Sequence, residues 1–266
     1  MRERMLEQIT PLILTLDEEC NIERVLARLT WAREVVVVDS GSRDGTRELL
    51  SRYSNVRCVE HPFRNHAEQW NFGLSETGIA TEWVLALDAD YVLSESLLDE
   101  LRALAPDEQT TGYRVSFRYC IFGRMLRGTM YPPVVALYRR HAGKYVQDGH
   151  TQRIRLDGSI AKLGSVILHD DRKPLSRWLA SQASYARLEA ELLLGKSWGD
   201  LGWPDRLRKL HVVMPVLAFA YCMIVGRGVL DGWPGVYYAM QRAVAEAVLS
   251  MVLLERRMSV SAGRTS

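Results

Sequence analysis

The sequence predicts an α/β protein in which a parallel sheet wound with helices continues into mixed strands and is followed by a C-terminal helical region. Three observations predict it. Short β-branched runs alternate with helical spacings through the first half, and acidic or glycine-rich segments follow those runs. The last quarter then turns to long, mostly uncharged apolar stretches. Alternation of the first kind is the signature of strands that pair in parallel with helices on their faces.

Ile9 to Leu16 reads as the first strand, and Asn21 is placed to cap a helix with the apolar face Ile22, Val25, Leu26 and Leu29. Val35 to Val38 is apolar on both faces, as a buried parallel strand requires. A turn of Gly, Ser and Asp, residues 39–46, leads to a helix from Thr46 to Tyr53. Val56 to Val59 is a third strand, Ala67 to Ser75 a third helix and Trp83 to Leu87 a fourth strand. Ser94 caps a helix carrying Leu97, Leu98, Leu101 and Leu104, which stops near Pro106. Gly112 to Phe122, Val134 to Arg139, Gln152 to Leu156 and Ile160 to Leu168 read as an antiparallel or mixed continuation. Pro174 then opens a helix that ends near Gly195.

The last quarter has a different chemistry. Arg206, Arg208, Lys209 and His211 precede an uncharged stretch, Val212 to Gly226, interrupted by Pro215. Its fifteen residues fall short of the ~20 needed to cross a bilayer. Val236 to Leu254 is again mostly apolar and ends at Glu255, Arg256 and Arg257. Basic flanks, Trp and Tyr beside apolar faces suggest helices lying in a membrane interface; a packed helical hairpin or a dimer contact is the other reading. The expected division is a catalytic domain at 1–172, a helical region at 173–258 with a membrane-interface contact, and a disordered tail at 259–266.

Composition narrows the function classes. The 266 residues are 47% hydrophobic and 25% charged, which is ordinary for a globular chain with a full core. A formal net charge of +2 gives no field that argues for nucleic acid. Four scattered cysteines, Cys20, Cys58, Cys120 and Cys222, suggest neither a zinc site nor a disulfide framework, and read as reduced, mostly buried thiols. The first residues carry only a short apolar run followed by acids, so a cytoplasmic protein is expected.

Chemistry enters with Asp88-Ala89-Asp90, directly after the apolar run that ends at Leu87. Two carboxylates at i and i+2 where a strand ends can point the same way and hold one divalent cation by hard oxygen ligands. The same triplet is also an ordinary way to end a strand in a turn. In open parallel sheets ligands bind beyond the carboxyl ends of the strands. Asp17 to Glu19, Asp39 to Asp44 and Asp88 to Asp90 all follow strands and would gather there.

The order of motifs resembles a known family. Residues 13–22 (ILTLDEECNI), 35–46 (VVVVDSGSRDGT), 69–74 (QWNFGL) and 83–90 (WVLALDAD) resemble family-2 glycosyltransferases of the GT-A fold, a Rossmann-like nucleotide-diphospho-sugar transferase architecture. Within them the chain looks most like the bacterial group that includes lipopolysaccharide-core β-1,4-glucosyltransferases, and residues 226–232 (GRGVLDG) look like that group's C-terminal region.

The resemblance implies a metal-dependent, inverting transfer from a nucleotide-diphospho-sugar, a UDP-sugar first, with Mg²⁺ or Mn²⁺. The acceptor would be a glycan or lipid-linked hydroxyl in envelope polysaccharide synthesis, with the enzyme peripheral on the inner face of the cytoplasmic membrane. It places Thr15, Asp17 and Glu18 against base or ribose, and Asp39 against a base N–H. Asp88 would take the ribose hydroxyl or a metal-bound water, and Asp90 the cation. Gln69 and Asn71 fall where donor-contacting groups occur in the family, although on a helix they equally suit solvent. Asp44 serves either the donor or the cap of the helix at Thr46.

The chain departs from that group where a Val-His-Glu-like segment is expected, having instead residues 147–152 (QDGHTQ), with Thr151 where a carboxylate would stand. An inverting transfer needs a base opposite the leaving diphosphate. Asp148 is the candidate, with His150 its alternative or orienting partner; a tight turn at Asp148-Gly149 is the structural reading of the same residues. His169 is a candidate second metal ligand or a plain loop residue. Asp170 and Asp171 are candidates to cap the helix that starts near Pro174, and Arg172 and Lys173 either neutralise diphosphate or face water. Two rival functions remain open: a sugar-phosphate nucleotidyltransferase, disfavoured by the acids after the first strand, and a non-catalytic membrane-associated relative with a vestigial nucleotide site.

Overall fold

A computed structural model of the chain describes residues 5–148 and 151–262. It divides into two compact units, one of Met1–Met125 with Tyr131–Arg172, the other of Leu126–Met130 with Lys173–Ser266.

The first unit is built on a mixed sheet. Strands β1 (Ile9–Thr15), β2 (Val35–Asp39), β3 (Val56–Glu60) and β4 (Trp83–Asp88) lie in the order β3-β2-β1-β4, all parallel. Helices α1 (Ile22–Leu26), α2 (Thr46–Ser51) and α3 (His66–Ser75) make the crossovers. The four valines of β2 are fully buried because both faces of the sheet are covered. Alternate residues serve different cores: Ile9, Ile13, Val35, Val37, Trp83, Leu85 and Leu87 enter one with the apolar face of α1. Leu12, Val36, Val38, Val84 and Ala86 enter the other with Ala67, Trp70 and Leu74 of α3.

The parallel half then gives way to mixed pairing. After β5 (Tyr91–Leu93) and α4 (Glu95–Ala103) come β6 (Thr110–Ile121), the short β7 (Arg124–Met125) and β8 (Val134–Arg139). Strand β8 runs antiparallel between β4 and β6, and β11 (Ser159–His169) lies parallel to β6 and antiparallel to β5. Between them β9 (Gly143–Asp148) and β10 (Thr151–Leu156) form a separate antiparallel hairpin. Ser94 caps α4 by accepting from Leu97 N, as its sequence predicts. Asn21 precedes α1 but makes no such bond; its side chain is committed elsewhere.

In the second unit α5 (Leu175–Gly195), α6 (Trp203–Arg208), α7 (Val213–Ile224) and α8 (Trp233–Ala262) pack together. Pro215 falls in the first turn of α7, where its missing N–H costs no helical bond, so the stretch is not interrupted. Met214, Ala218 and Cys222 form the buried seam of α7. Around the turn after it the backbone closes tightly: a Cβ at Gly235 would lie 2.1 Å from Gly228 O. Arg208, read from sequence as part of a basic flank, is instead held by Glu246, Asp205 and Glu189, an arrangement that keeps its guanidinium charged despite burial. Helix α8 continues through Ala262, past Ser259 where composition suggests a disordered tail. Among the described residues no helix is long and apolar enough to cross a membrane. Among the described residues no disulfide forms; Cys120 and Cys222 are buried, whereas Cys20 is half-buried and Cys58 exposed.

Candidate active site

Strand register brings the acidic segments to one edge. Thr15 pairs with Asp39, and Leu14 with Asp88, so β1, β2 and β4 end side by side. The chain after β4 turns at Ala89 and Asp90 into β5, whose Tyr91 is opposite His169 at the end of β11. That pairing, together with Asp170 N donating to Asp90 O, sets His169 Nε2 3.1 Å from Asp90 Oδ2. Asp90 and His169 are 79 residues apart in the chain, and the β5–β11 ladder helps to bring them together.

The pair is enclosed by aromatic rings. Tyr119 lies 4.2 Å and Tyr91 5.1 Å from the His169 ring, centroid to centroid, and Tyr131 packs on Tyr119. Burial opposes charge on His169, but Asp90, with smaller help from Asp88 and Asp171, holds its pKa above the ordinary imidazole value. Burial, then Asp88 and Asp90, push the Tyr91 phenol well above its usual range, and its hydroxyl bonds Asp88. These tyrosines lay outside the sequence reading, although Tyr91 directly follows the acidic triplet.

Asp90 and His169 could together hold a divalent cation, since a carboxylate oxygen and an imidazole nitrogen are donors that such ions accept. Among the described residues no group of three or more His, Cys, Asp or Glu comes together to hold a metal ion.

The loops after β1 and β2 are laced together. Asp17, at φ 54°, donates its N–H to Ser42 Oγ and accepts from Arg43 N at 2.7 Å. Glu18 N donates to Thr46 Oγ1, and the Glu18 carboxylate accepts from the Asn21 amide. Asp44 accepts from Thr46 N and from Glu19 N, but the N-cap position of α2 is Gly45 and has no side-chain cap, so Asp44 is not the helix cap considered for it.

Asp39, expected to meet a base, is fully buried and accepts from Gly41 N, Ser42 N, Ser42 Oγ and Arg47 Nε. It organises its own turn. Gln69, expected to face the donor or solvent, is also buried and joins Ser40 to His61. Asn71 donates to Tyr145 O and accepts from Tyr145 N, each at 3.0 Å, which fastens α3 to β9. Asp39 and Gln69 are buried and Asn71 half-buried, and each polar group has a protein partner.

Thr15 differs from them. Its Oγ1 is buried with no hydrogen-bond partner among the described residues, at the strand edge where a ligand is expected. An orphaned hydroxyl of this kind is rare and calls for an outside partner.

Asp170 and Asp171 do not cap α5, whose first residues lack a side-chain cap. Asp170 pairs with Arg24 and Arg172, and Asp171 takes the Asn21 amide, so residues after β11 dock on the segment after β1. Asn21 Oδ1 also accepts from Arg172 N, which explains why it is not a helix cap. Asp148 is the last residue of β9, opposite Thr151, and only its backbone is described; His150 lies outside the described residues.

Comparison with known proteins agrees with this architecture. A family model described as glycosyl transferase family 2 matches residues 12–155. The chain is 29% identical over 194 residues to the lipopolysaccharide core biosynthesis glycosyltransferase LpsC of Rhizobium meliloti (strain 1021), covering 69% of this chain and 70% of that protein. It is 32% identical over 114 residues to an uncharacterized glycosyltransferase of Rickettsia bellii (strain RML369-C), covering 42% of this chain and 38% of the relative. Among solved structures, S. aureus TarS 1-349 in complex with UDP-GlcNAc superposes with a TM-score of 0.50 at 15% identity, covering 95% of this chain and 92% of that one. At that identity the likeness is one of fold.

Proposed function

The chain belongs to glycosyl transferase family 2 and has the GT-A fold, and from that premise we propose that it is an inverting enzyme using a nucleotide-diphospho-sugar. The acceptor is a hydroxyl of a glycan or lipid-linked sugar in envelope polysaccharide or lipopolysaccharide synthesis, in keeping with the LpsC relative. UDP-sugars are the first donors to test.

The observation that carries the proposal is the Asp90–His169 contact beside Asp88, at the edge where β1, β2 and β4 end. Thr15 Oγ1, buried with no hydrogen-bond partner among the described residues, offers a hydrogen bond to the nucleoside at that edge. Asp88 accepts from a ribose hydroxyl. Asp17, Glu18 and Asp39 shape the wall by holding the two loops rigid, so that little ordering remains to be done when the donor binds.

Asp90 and His169 would hold Mg²⁺ or Mn²⁺. When bound, such a cation supplies positive charge against the departing nucleoside diphosphate. Asp148 takes the proton from the acceptor hydroxyl as that oxygen bonds to the anomeric carbon from the face opposite the diphosphate. The bond from that carbon to the phosphate oxygen breaks, its electron pair leaves with the nucleoside diphosphate, and the configuration inverts. His150 orients Asp148 or replaces it as base. A lipid-linked acceptor puts the enzyme on the inner face of the cytoplasmic membrane.

Calorimetric titration of UDP, GDP, ADP and UDP-sugars, with and without Mn²⁺, tests the reading beside Asp90→Ala. One nucleotide should bind in a metal-dependent way, and the variant should lose at least ~10-fold in affinity with its circular dichroism unchanged, as for loss of a charged ligand group. Absence of binding under every condition would favour a vestigial site. Pyrophosphate release from a nucleoside triphosphate and a sugar phosphate would favour a nucleotidyltransferase.

A further inference from the structure

The most exposed apolar surface of the second unit is the side of α7 opposite its buried seam, together with the turn that follows. Val212 is 77% exposed, Val216 69% and Ile224 74%, and the turn adds Val229, Leu230 and Trp233, the last 84% exposed. Helix α7 carries no charged side chain at all. Leaving so much contiguous hydrocarbon in water is unfavourable and marks a docking surface.

The charges around this surface select its occupant. Between Trp203 and Trp233 the acids are Asp205 and Asp231, and each is bound to an arginine of the same unit. Arg208 is consumed by its buried network, but Arg206 and Lys209 bond main-chain carbonyls, and Arg227 is exposed between the apolar residues. The segments that flank α7 in the chain are therefore net cationic, and they carry Trp203 and Trp233, both largely exposed. Tryptophan next to basic residues at the border of an apolar face suits the headgroup layer of a membrane. The described length of α7, twelve residues, gives ~18 Å at 1.5 Å per residue, too short for a ~30 Å hydrocarbon core. A second copy docked through the same face would set these cationic segments against each other.

We propose that the outer face of α7 and the turn through Trp233 lie in the headgroup region of an anionic bilayer, with Val212, Val216, Ile224 and Trp233 among the acyl chains and Arg206, Lys209 and Arg227 at the lipid phosphates. The proposal deepens the functional reading in one respect, the lipid-linked acceptor, and otherwise stands on this surface alone.

The test is co-sedimentation of the full chain with phosphatidylcholine vesicles and with vesicles containing phosphatidylglycerol, for the wild type and for Val216→Asp/Ile224→Asp. Both positions are exposed, so the double variant should keep its circular dichroism and melting temperature. Wild type should pellet with the anionic vesicles, release in high salt and bind phosphatidylcholine at least tenfold more weakly; the variant should lose at least tenfold in anionic-vesicle binding. Wild type that ignores anionic vesicles, or a variant that binds them undiminished, overturns the proposal. So does a wild-type dimer that becomes monomeric in the variant while neither protein pellets, which assigns the face to self-association. An Arg206→Glu/Lys209→Glu variant supplies an independent check: unchanged vesicle binding removes the electrostatic half and overturns the stated pose. Nucleotide titration of the same proteins separates the two readings, because vesicle binding and donor binding can each fail alone.

Discussion

Thr15 Oγ1 is buried, lacks a partner among the described residues and belongs to the last residue of β1, an inner strand of the parallel half. A valine at this position keeps the shape and removes an unsatisfied hydroxyl, so Thr15→Val should leave stability unchanged or raise it by about 1 kcal/mol. If the hydroxyl meets the nucleoside, the same change should weaken nucleotide binding roughly 3- to 10-fold, the worth of one hydrogen bond. Denaturant unfolding and calorimetry on one preparation check both; unaltered affinity removes Thr15 from the site. Asp39, Gln69 and Asn71 mark the limit of sequence reading at this scale. Their polarity and their place after strands or on α3 were legible, but not that each is committed to the protein: Asp39 to its own turn, Gln69 to Ser40 and His61, Asn71 to Tyr145. A polar side chain does not announce in sequence whether its partner is a ligand or a distant main-chain amide.

Helix α3 holds the β9–β10 hairpin, a sheet separate from the main one, through Asn71 on Tyr145 and through Ala67 N on Gln147 Oε1. Asp148 ends that hairpin strand. Asn71→Ala should therefore lower turnover about 10- to 100-fold by misplacing the proposed base, while the donor dissociation constant stays within about twofold. A steady-state assay beside nucleotide titration separates the two effects, and equal loss in both would mean that Asn71 supports the fold at large.

Helix α4 is tied to the irregular middle of β11 in a different way. The register with β6 shifts between Lys162 and Val166, and Glu100 accepts from Gly164 N and Ser165 N at 2.8 Å each. Partial burial raises the Glu100 pKa, but those bonds outweigh it and hold the value below the ordinary 4.5. A carboxyl whose pKa is depressed on folding stabilises the fold above its unfolded pKa and loses that contribution as pH falls through the folded value. Glu100→Gln should thus cost about 1–2 kcal/mol at pH 7, and the difference from wild type should shrink below about pH 4, as read from urea midpoints at both pH values. The parallel strands were legible because their β-branched runs are continuous; β5, three residues long, and β9, with its mixed polarity, carry no comparable period. Without β5 the meeting of Asp90 and His169 could be suspected from residue type but not located.

At the scale of the whole chain, all the residues proposed to bind donor and cation, Thr15, Asp88, Asp90 and His169, belong to the unit of Met1–Met125 and Tyr131–Arg172. The helical unit has a core of its own, including Ala186, Ala190, Leu193, Leu249 and Leu253. Composition alone showed that the last quarter differs, but the inclusion of Leu126–Met130 in the helical unit was not legible. That segment is fixed by long-range bonds from Arg127 to Asp231 and Leu230, over a hundred residues away. Its loop-like sequence carries no sign of them.

Two cores allow the units to be perturbed separately. A Cβ at Gly235 would stand 2.1 Å from the carbonyl oxygen of Gly228, a backbone atom that cannot swing aside as a flexible side chain would. Gly235→Ala should therefore force the turn before α8 apart and destabilise the helical unit by roughly 1–3 kcal/mol. Calorimetry should show one transition moving down while the other holds, and metal-dependent nucleotide binding at 25 °C should match wild type because no donor residue belongs to that unit. A single transition that falls together with nucleotide affinity would instead show that the donor edge depends on the helical unit for its stability. The vesicle-binding face, which includes the neighbouring Trp233, should weaken in the same variant even where nucleotide binding does not.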